Sequence, residues 1–276
     1  MRATLDSVDH HLVDDRVRTS LAGAVNDIAL ELNSDLGPRA NLRAGEEVTF
    51  LLEGHLGEIT IDAAGRIDNV FDPRKPEARV ALRGPNAEYL FEVLKLPELT
   101  RGPLDVSLVL AALPGKVDVE AEGQVGEFEI ALAGSTSDFR EFAALDLEFA
   151  ASGPDMSHAG RVLGLSTLPE LPFATTGRIT KEETRVNLEE IALTVGDSRM
   201  TVAGEIARFP EPIGARVQVH LRGADIRQLR QLFGLPGLLP GAFDVRATEP
   251  CGCPAAPRRL RPSVPGFCVL GEHPLR

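Results

Sequence analysis

The chain has 276 residues, a formal net charge of −12 and 43% hydrophobic residues, yet only 5% aromatics, with one Tyr and no Trp. An acidic chain without a basic face argues against a nucleic-acid backbone as partner. Small and branched aliphatics in place of aromatics suit strands better than an aromatic-lined pocket, and no apolar run reaches the roughly 18 to 20 residues that span a bilayer.

In chain order, residues 1–40 read as the remnant of a preceding repeat or a frayed N-terminus. Met1 to His10 lacks the apolar core of a secretion signal. His10 and His11 would face opposite ways in a regular element, which reads as a solvated terminus rather than a site.

From residue 41 the text repeats. Gly57, Gly65 and Gly84 recur as Gly126, Gly134 and Gly153, then as Gly196, Gly204 and Gly223, with internal offsets of 8 and 19 and repeat distances of 69 and 70. With 26 glycines in 276 residues, six such matches by chance are a roughly one-in-a-million event. The neighbours repeat too: Val48 to Glu58 aligns with Val117 to Glu127. Ile59 to Gly65 aligns with Phe128 to Gly134 and, over its last residues, with Met200 to Gly204. The expected units lie near 41–110, 111–180 and 181–248.

Within a unit, strand signals dominate. Arg216 to Arg222 alternates strictly, with Val217, Val219 and Leu221 on one face. Leu145 to Phe149, Asn187-Leu188, Ile191 to Val195 and Phe243 to Arg246 behave likewise. Leu113-Pro114-Gly115-Lys116 and Val195-Gly196-Asp197-Ser198 read as hairpin turns of antiparallel pairs.

Each unit adds one short amphipathic helix of about three turns. Asn86 precedes apolar residues at Ala87, Leu90, Phe91 and Leu94, Asp155 precedes Met156, Ala159, Val162 and Leu163, and Asp225 precedes Ile226, Leu229, Leu232 and Phe233. The returns Leu96-Pro97-Glu98-Leu99, Leu168-Pro169-Glu170-Leu171 and Leu235-Pro236-Gly237-Leu238 place a proline where it blocks continuation. The polar faces of these helices hold few cations, so packing on a sheet is expected rather than membrane-surface binding.

The register stops near Ala247. Residues 249–276 turn to Pro-, Arg- and Cys-rich text, which reads as a disordered tail or as out-of-frame translation. Cys251, Cys253, Cys268 and His273 lack the spacing and scaffold of a zinc site. Glu53, Glu58, Glu122 and Glu127 recur with the repeat, whereas a catalytic carboxylate pair is ordinarily unique in a chain. Gly234 to Gly241 lacks the lysine of a phosphate loop. No enzyme, cofactor or metal is expected.

The expected fold is mainly β: antiparallel units of about 70 residues in a sheet with one apolar face, curled into an elongated groove. The groove-lining candidates are Val117, Val119, Ile130, Leu147, Phe149, Leu188, Val202, Val217, Val219 and Leu221. A contiguous apolar face beyond a few hundred Å² is rarely left to water. It therefore needs an occupant, or it folds over into a dry core.

The texts Leu82-Arg83-Gly84-Pro85-Asn86, Ala151-Ser152-Gly153-Pro154-Asp155 and Leu221-Arg222-Gly223-Ala224-Asp225, each leading into a short helix, resemble the AsmA family. Phe173 to Ile179, Val186 to Leu188 and Met200 to Ile206 are similar to that family's strands, and the resemblance covers residues 41–248. It implies a β-groove that carries phospholipid acyl chains between inner and outer membranes in outer-membrane biogenesis. It also implies a periplasmic position with an inner-membrane anchor, which this chain does not include. Other envelope proteins are further implied partners. The competing expectation is a closed-core β-repeat scaffold for protein–protein interaction.

Overall fold

The computed structural model describes residues 3–94, 101–138, 143–162, 168–208, 213–225 and 240–250. The described residues form fifteen strands in one open antiparallel sheet, each bonded to its neighbours in sequence, together with three short helices. The strands are β1 (Ala3–Val13), β2 (Arg16–Val25), β3 (Ile28–Gly37), β4 (Val48–Leu56) and β5 (Ile59–Ile67). Then follow β6 (Glu77–Gly84), β7 (Leu104–Leu113), β8 (Lys116–Val125), β9 (Phe128–Thr136) and β10 (Leu145–Gly153). The last five are β11 (Phe173–Glu182), β12 (Arg185–Val195), β13 (Ser198–Arg208), β14 (Ile213–Gly223) and β15 (Phe243–Pro250). The helices are α1 (Arg39–Ala44), α2 (Glu88–Leu94) and α3 (Met156–Val162).

Alternation makes the sheet two-faced. Directly paired residues project to the same side of an antiparallel sheet. The register can therefore be followed across all strands, as in the row Val119, Gly134, Leu147, Ile179, Leu188, Gly204, Val217. Aliphatic residues occupy this side from β1 to β15. The other side carries cross-strand ion pairs, including Arg178–Asp146 at 2.6 Å, Arg185–Glu205 at 3.0 Å and Arg83–Asp105 at 3.4 Å, with Arg16 and Arg18 both on Asp35. Apart from the half-buried Arg16–Asp35 contact these pairs are largely exposed, and an exposed pair stabilises little.

The glycine triplets take matching places. Gly57, Gly126 and Gly196 sit in hairpin turns with φ of 58°, 62° and 52°, a left-handed conformation that a side chain would strain. Their N–H groups donate to the carbonyls of Ala29, Pro103 and Pro172 at 2.7, 2.7 and 2.9 Å. Gly84, Gly153 and Gly223 end the strands β6, β10 and β14.

Asn86 and Asp155 act as the expected caps. Their side-chain oxygens accept from Glu88 N at 3.0 Å and Ser157 N at 2.8 Å. The helix starts are pinned alike, Ala87 N to Gly102 O and Met156 N to Leu171 O, both at 2.9 Å. The described helices α2 and α3 have seven residues each, about two turns. The predicted helix after Asp225 and the returns at 96–99 and 235–238 lie outside the described residues, as do residues 251–276.

At the N-terminal end the structure holds three regular strands, β1 to β3, where the sequence reading offered a repeat remnant or a frayed end. Their turns use Asp14-Asp15 and Asn26-Asp27, all four at positive φ, in place of glycine. Strand β15 continues to Pro250, two residues into the segment read as tail.

Candidate functional site: the apolar face

All ten groove candidates fall on one face. The row above holds Val119, Leu147, Leu188 and Val217, while Phe149 pairs with Leu132, Val202 with Val219, Ile130 with Gly123 and Leu221 with Met200. This follows from the period of two, because every member stands at an alternating apolar position.

On β4, β8, β9 and β12 the two ends of this face are buried and much of the middle is more open. On β8, Val117 and Val125 are 0% and 8% exposed, with Val119, Ala121 and Gly123 half-buried between them. On β9, Phe128 and Thr136 are 4% and 1% exposed, flanking Ile130 at 36% and Leu132 at 37%. Val48 and Leu56 close the ends of β4, and Val186 and Val195 those of β12.

Local structure builds these margins. On the helix side, Ala87 and Phe91 pack on Ile59, Leu104 and Val125. In the corresponding place Phe128 meets Phe173 and His158, with ring centroids 6.0 and 6.4 Å apart. On the opposite side the Thr136 hydroxyl lies 2.9 and 2.7 Å from the carbonyls of Asp138 and Ala143, holding these two residues against the strand end.

Two of the candidates are buried rather than half-open. Val117 is fully buried beside Thr136, and Leu221, 9% exposed, packs with Phe243 and Met200. Both belong to margins. Val119, Leu147, Phe149, Leu188, Val202, Val217 and Val219 are half-buried and Ile130 is exposed. Sequence alternation assigns a face but carries no signal for strand ends.

The polar face holds features that sequence reasoning missed. Hollows of about 880 Å³ and 640 Å³ lie across β7 to β12. The small side chains of Ala131, Ala133 and Ala150 leave room there between Glu120, Glu122, Glu148 and Arg178. The Asp146 carboxyl is held below the ordinary carboxylate range by hydrogen bonds from Arg178, against the opposing effect of burial, and Arg178 is raised in turn.

Glu122 borders these hollows, Glu58 and Glu127 occupy hairpin turns, and Glu53 lies on the polar face of β4. His10 lies 3.0 Å from the Thr19 hydroxyl across β1 and β2. Among the described residues no group of three or more His, Cys, Asp or Glu is placed to hold a metal ion, and no helix is long and apolar enough to cross a membrane.

No family model, curated protein or solved structure matches the chain.

Proposed function

We propose that the apolar face binds lipid acyl chains along an open strip and that the protein shelters or conducts lipid without catalysing a reaction. The observation that carries this reading is the burial profile across the strands. Aliphatic side chains recur on one side of the sheet, both ends of that side are buried on β4, β8, β9 and β12, and the middle is open to solvent at Ile130 and Leu132. An apolar strip with closed sides fits a long, thin apolar ligand.

Fifteen strands at about 4.8 Å spacing make a strip of roughly 67 Å. An acyl chain spans half of the roughly 30 Å hydrocarbon core, about 15 Å, so some four chains would fit end to end. The exposure of Ile130, Leu132 and Val245 favours this over a dry, closed core.

The matched turns at Gly57, Gly126 and Gly196 and the matched helix pins support reading residues 41–248 as three copies of a four-strand unit. With the AsmA-like wording, these features support a role in phospholipid movement across the periplasm during outer-membrane biogenesis.

Native mass spectrometry of the full chain, purified without detergent from a Gram-negative host, tests the reading. Phospholipid adducts are expected. Bare protein in repeated preparations contradicts it.

A further inference from the structure

Glycines stand on the apolar face at every second gap between strands. Gly65, Gly134 and Gly204 are the middle members of the three triplets, on β5, β9 and β13. A side chain at each would begin only 2.8, 2.9 and 2.8 Å from the Cα of its register partner, Ala78, Leu147 and Val217, and would overlap the preceding carbonyl oxygen of that strand. The pattern extends to four glycines outside the triplets. Gly23, Gly54 and Gly123 meet the Cα atoms of Leu5, Leu32 and Val106 at 3.2, 3.0 and 2.7 Å, and Gly177, beside a bulge, meets that of Ile191 at 3.0 Å.

The seven gaps are β1/β2, β3/β4, β5/β6, β7/β8, β9/β10, β11/β12 and β13/β14. Among the described residues, the alternate gaps carry no such glycine in mid-strand.

In a regular sheet, facing Cβ atoms stand about 4.5 to 5.5 Å apart. A bend that closes towards a face drives that face's side chains into the neighbouring strand, whereas a bend that opens splays them. Close approach on the apolar side alone therefore marks the inside of a bend, where strongly curved sheets place glycine. As a deepening of the groove reading above, on which it rests for the role of that face, we propose that these seven glycines are creases. They roll the sheet towards its apolar side one strand pair at a time and so curve the strip along its length.

Spin-label distances in the full chain, with its three cysteines replaced by serine, test this without lipid in the readout. One label pair is placed on the apolar face at Ile61 and Val202, the other on the polar face at Asp62 and Ala203. Both pairs span eight gaps, a flat contour of about 38 Å. The apolar pair is expected to be shorter than the polar pair, and both shorter than the contour. Equal distances, or a shorter polar pair, overturn the proposal.

Gly134→Ala should lengthen the apolar distance towards the contour. Gly241→Ala, at a glycine with nothing within 4 Å, should leave it unchanged. A folded Gly134→Ala with native distances also overturns the proposal. Should that variant fail to fold, Gly177→Ala carries the same test, because its nearest obstacle is the Ile191 side chain at 2.7 Å. Curl without lipid in the mass spectrum would leave the creases standing and remove the lipid reading.

Discussion

Placing aspartate at two of the apolar-face positions separates the open strip from its margins. Val117 is 0% exposed, so Val117→Asp loses the full transfer free energy of a buried valine, about 1.5–3 kcal/mol. It also puts a buried carboxylate beside Thr136, which adds at least about 2 kcal/mol. A total of at least about 3.5 kcal/mol is a large part of the roughly 5–15 kcal/mol that holds a typical domain. Ile130 is 36% exposed, so Ile130→Asp loses about two-thirds of the same transfer term, about 1–2 kcal/mol, and its carboxylate reaches water. Urea unfolding followed by circular dichroism reads the stability, and native mass spectrometry reads bound phospholipid. Ile130→Asp should stay folded and lose most of its lipid, whereas Val117→Asp should unfold or come close to it. Equal destabilisation by both would show that the strip is closed. A folded Ile130→Asp with undiminished lipid would refute the assignment of the strip as the binding surface.

Three further outcomes follow from the geometry. Phe128→Ala removes a 4% exposed ring that contacts Phe173 and His158, and should cost about 3–5 kcal/mol in urea unfolding. Gly126→Ala forces a side chain into a φ of 62° and should cost about 1–3 kcal/mol, whereas Ala131→Ser on the polar face should change stability by less than about 0.5 kcal/mol. The lowered pKa of Asp146 means that its pairing with Arg178 stabilises the fold above the unfolded value near 3.8, and that this contribution is lost as pH falls through the lower folded value. Thermal melts of the protein and of Asp146→Asn should differ at pH 7 and converge in strong acid. A constant difference across that range would contradict the assignment.

The fold's two-faced character was legible because period-two alternation is written in adjacent residues. The ten candidates share a face for that reason alone. Their split into strip and margin was not legible, since Val117 and Ile130 look alike in a strand, and only the Thr136 turn and the packed strand ends distinguish them. Strands β1 to β3 escaped notice because their turns lack the recurring glycine. Asn26-Asp27 and Asp14-Asp15 between alternating stretches were the available signal, for those residue types tolerate positive φ.

The middle glycine of each triplet was the least readable. Gly57 and its equivalents announce turns by their neighbours, but Gly65, Gly134 and Gly204 sit in unbroken strands, where the reason for glycine is another strand's main chain. The polar hollow is likewise a product of register, which sets Ala131, Ala133 and Ala150 side by side from two strands.

The account's central claim is that lipid lies on one face of this sheet, and a photo-crosslinking scan along β9 tests it most directly. A photoreactive residue at each position from Glu129 to Ala133, followed by mass spectrometry of lipid adducts, should give adducts at Ile130 and Leu132 and none at Glu129, Ala131 and Ala133. Adducts at the odd positions, or at none of the five, would contradict it.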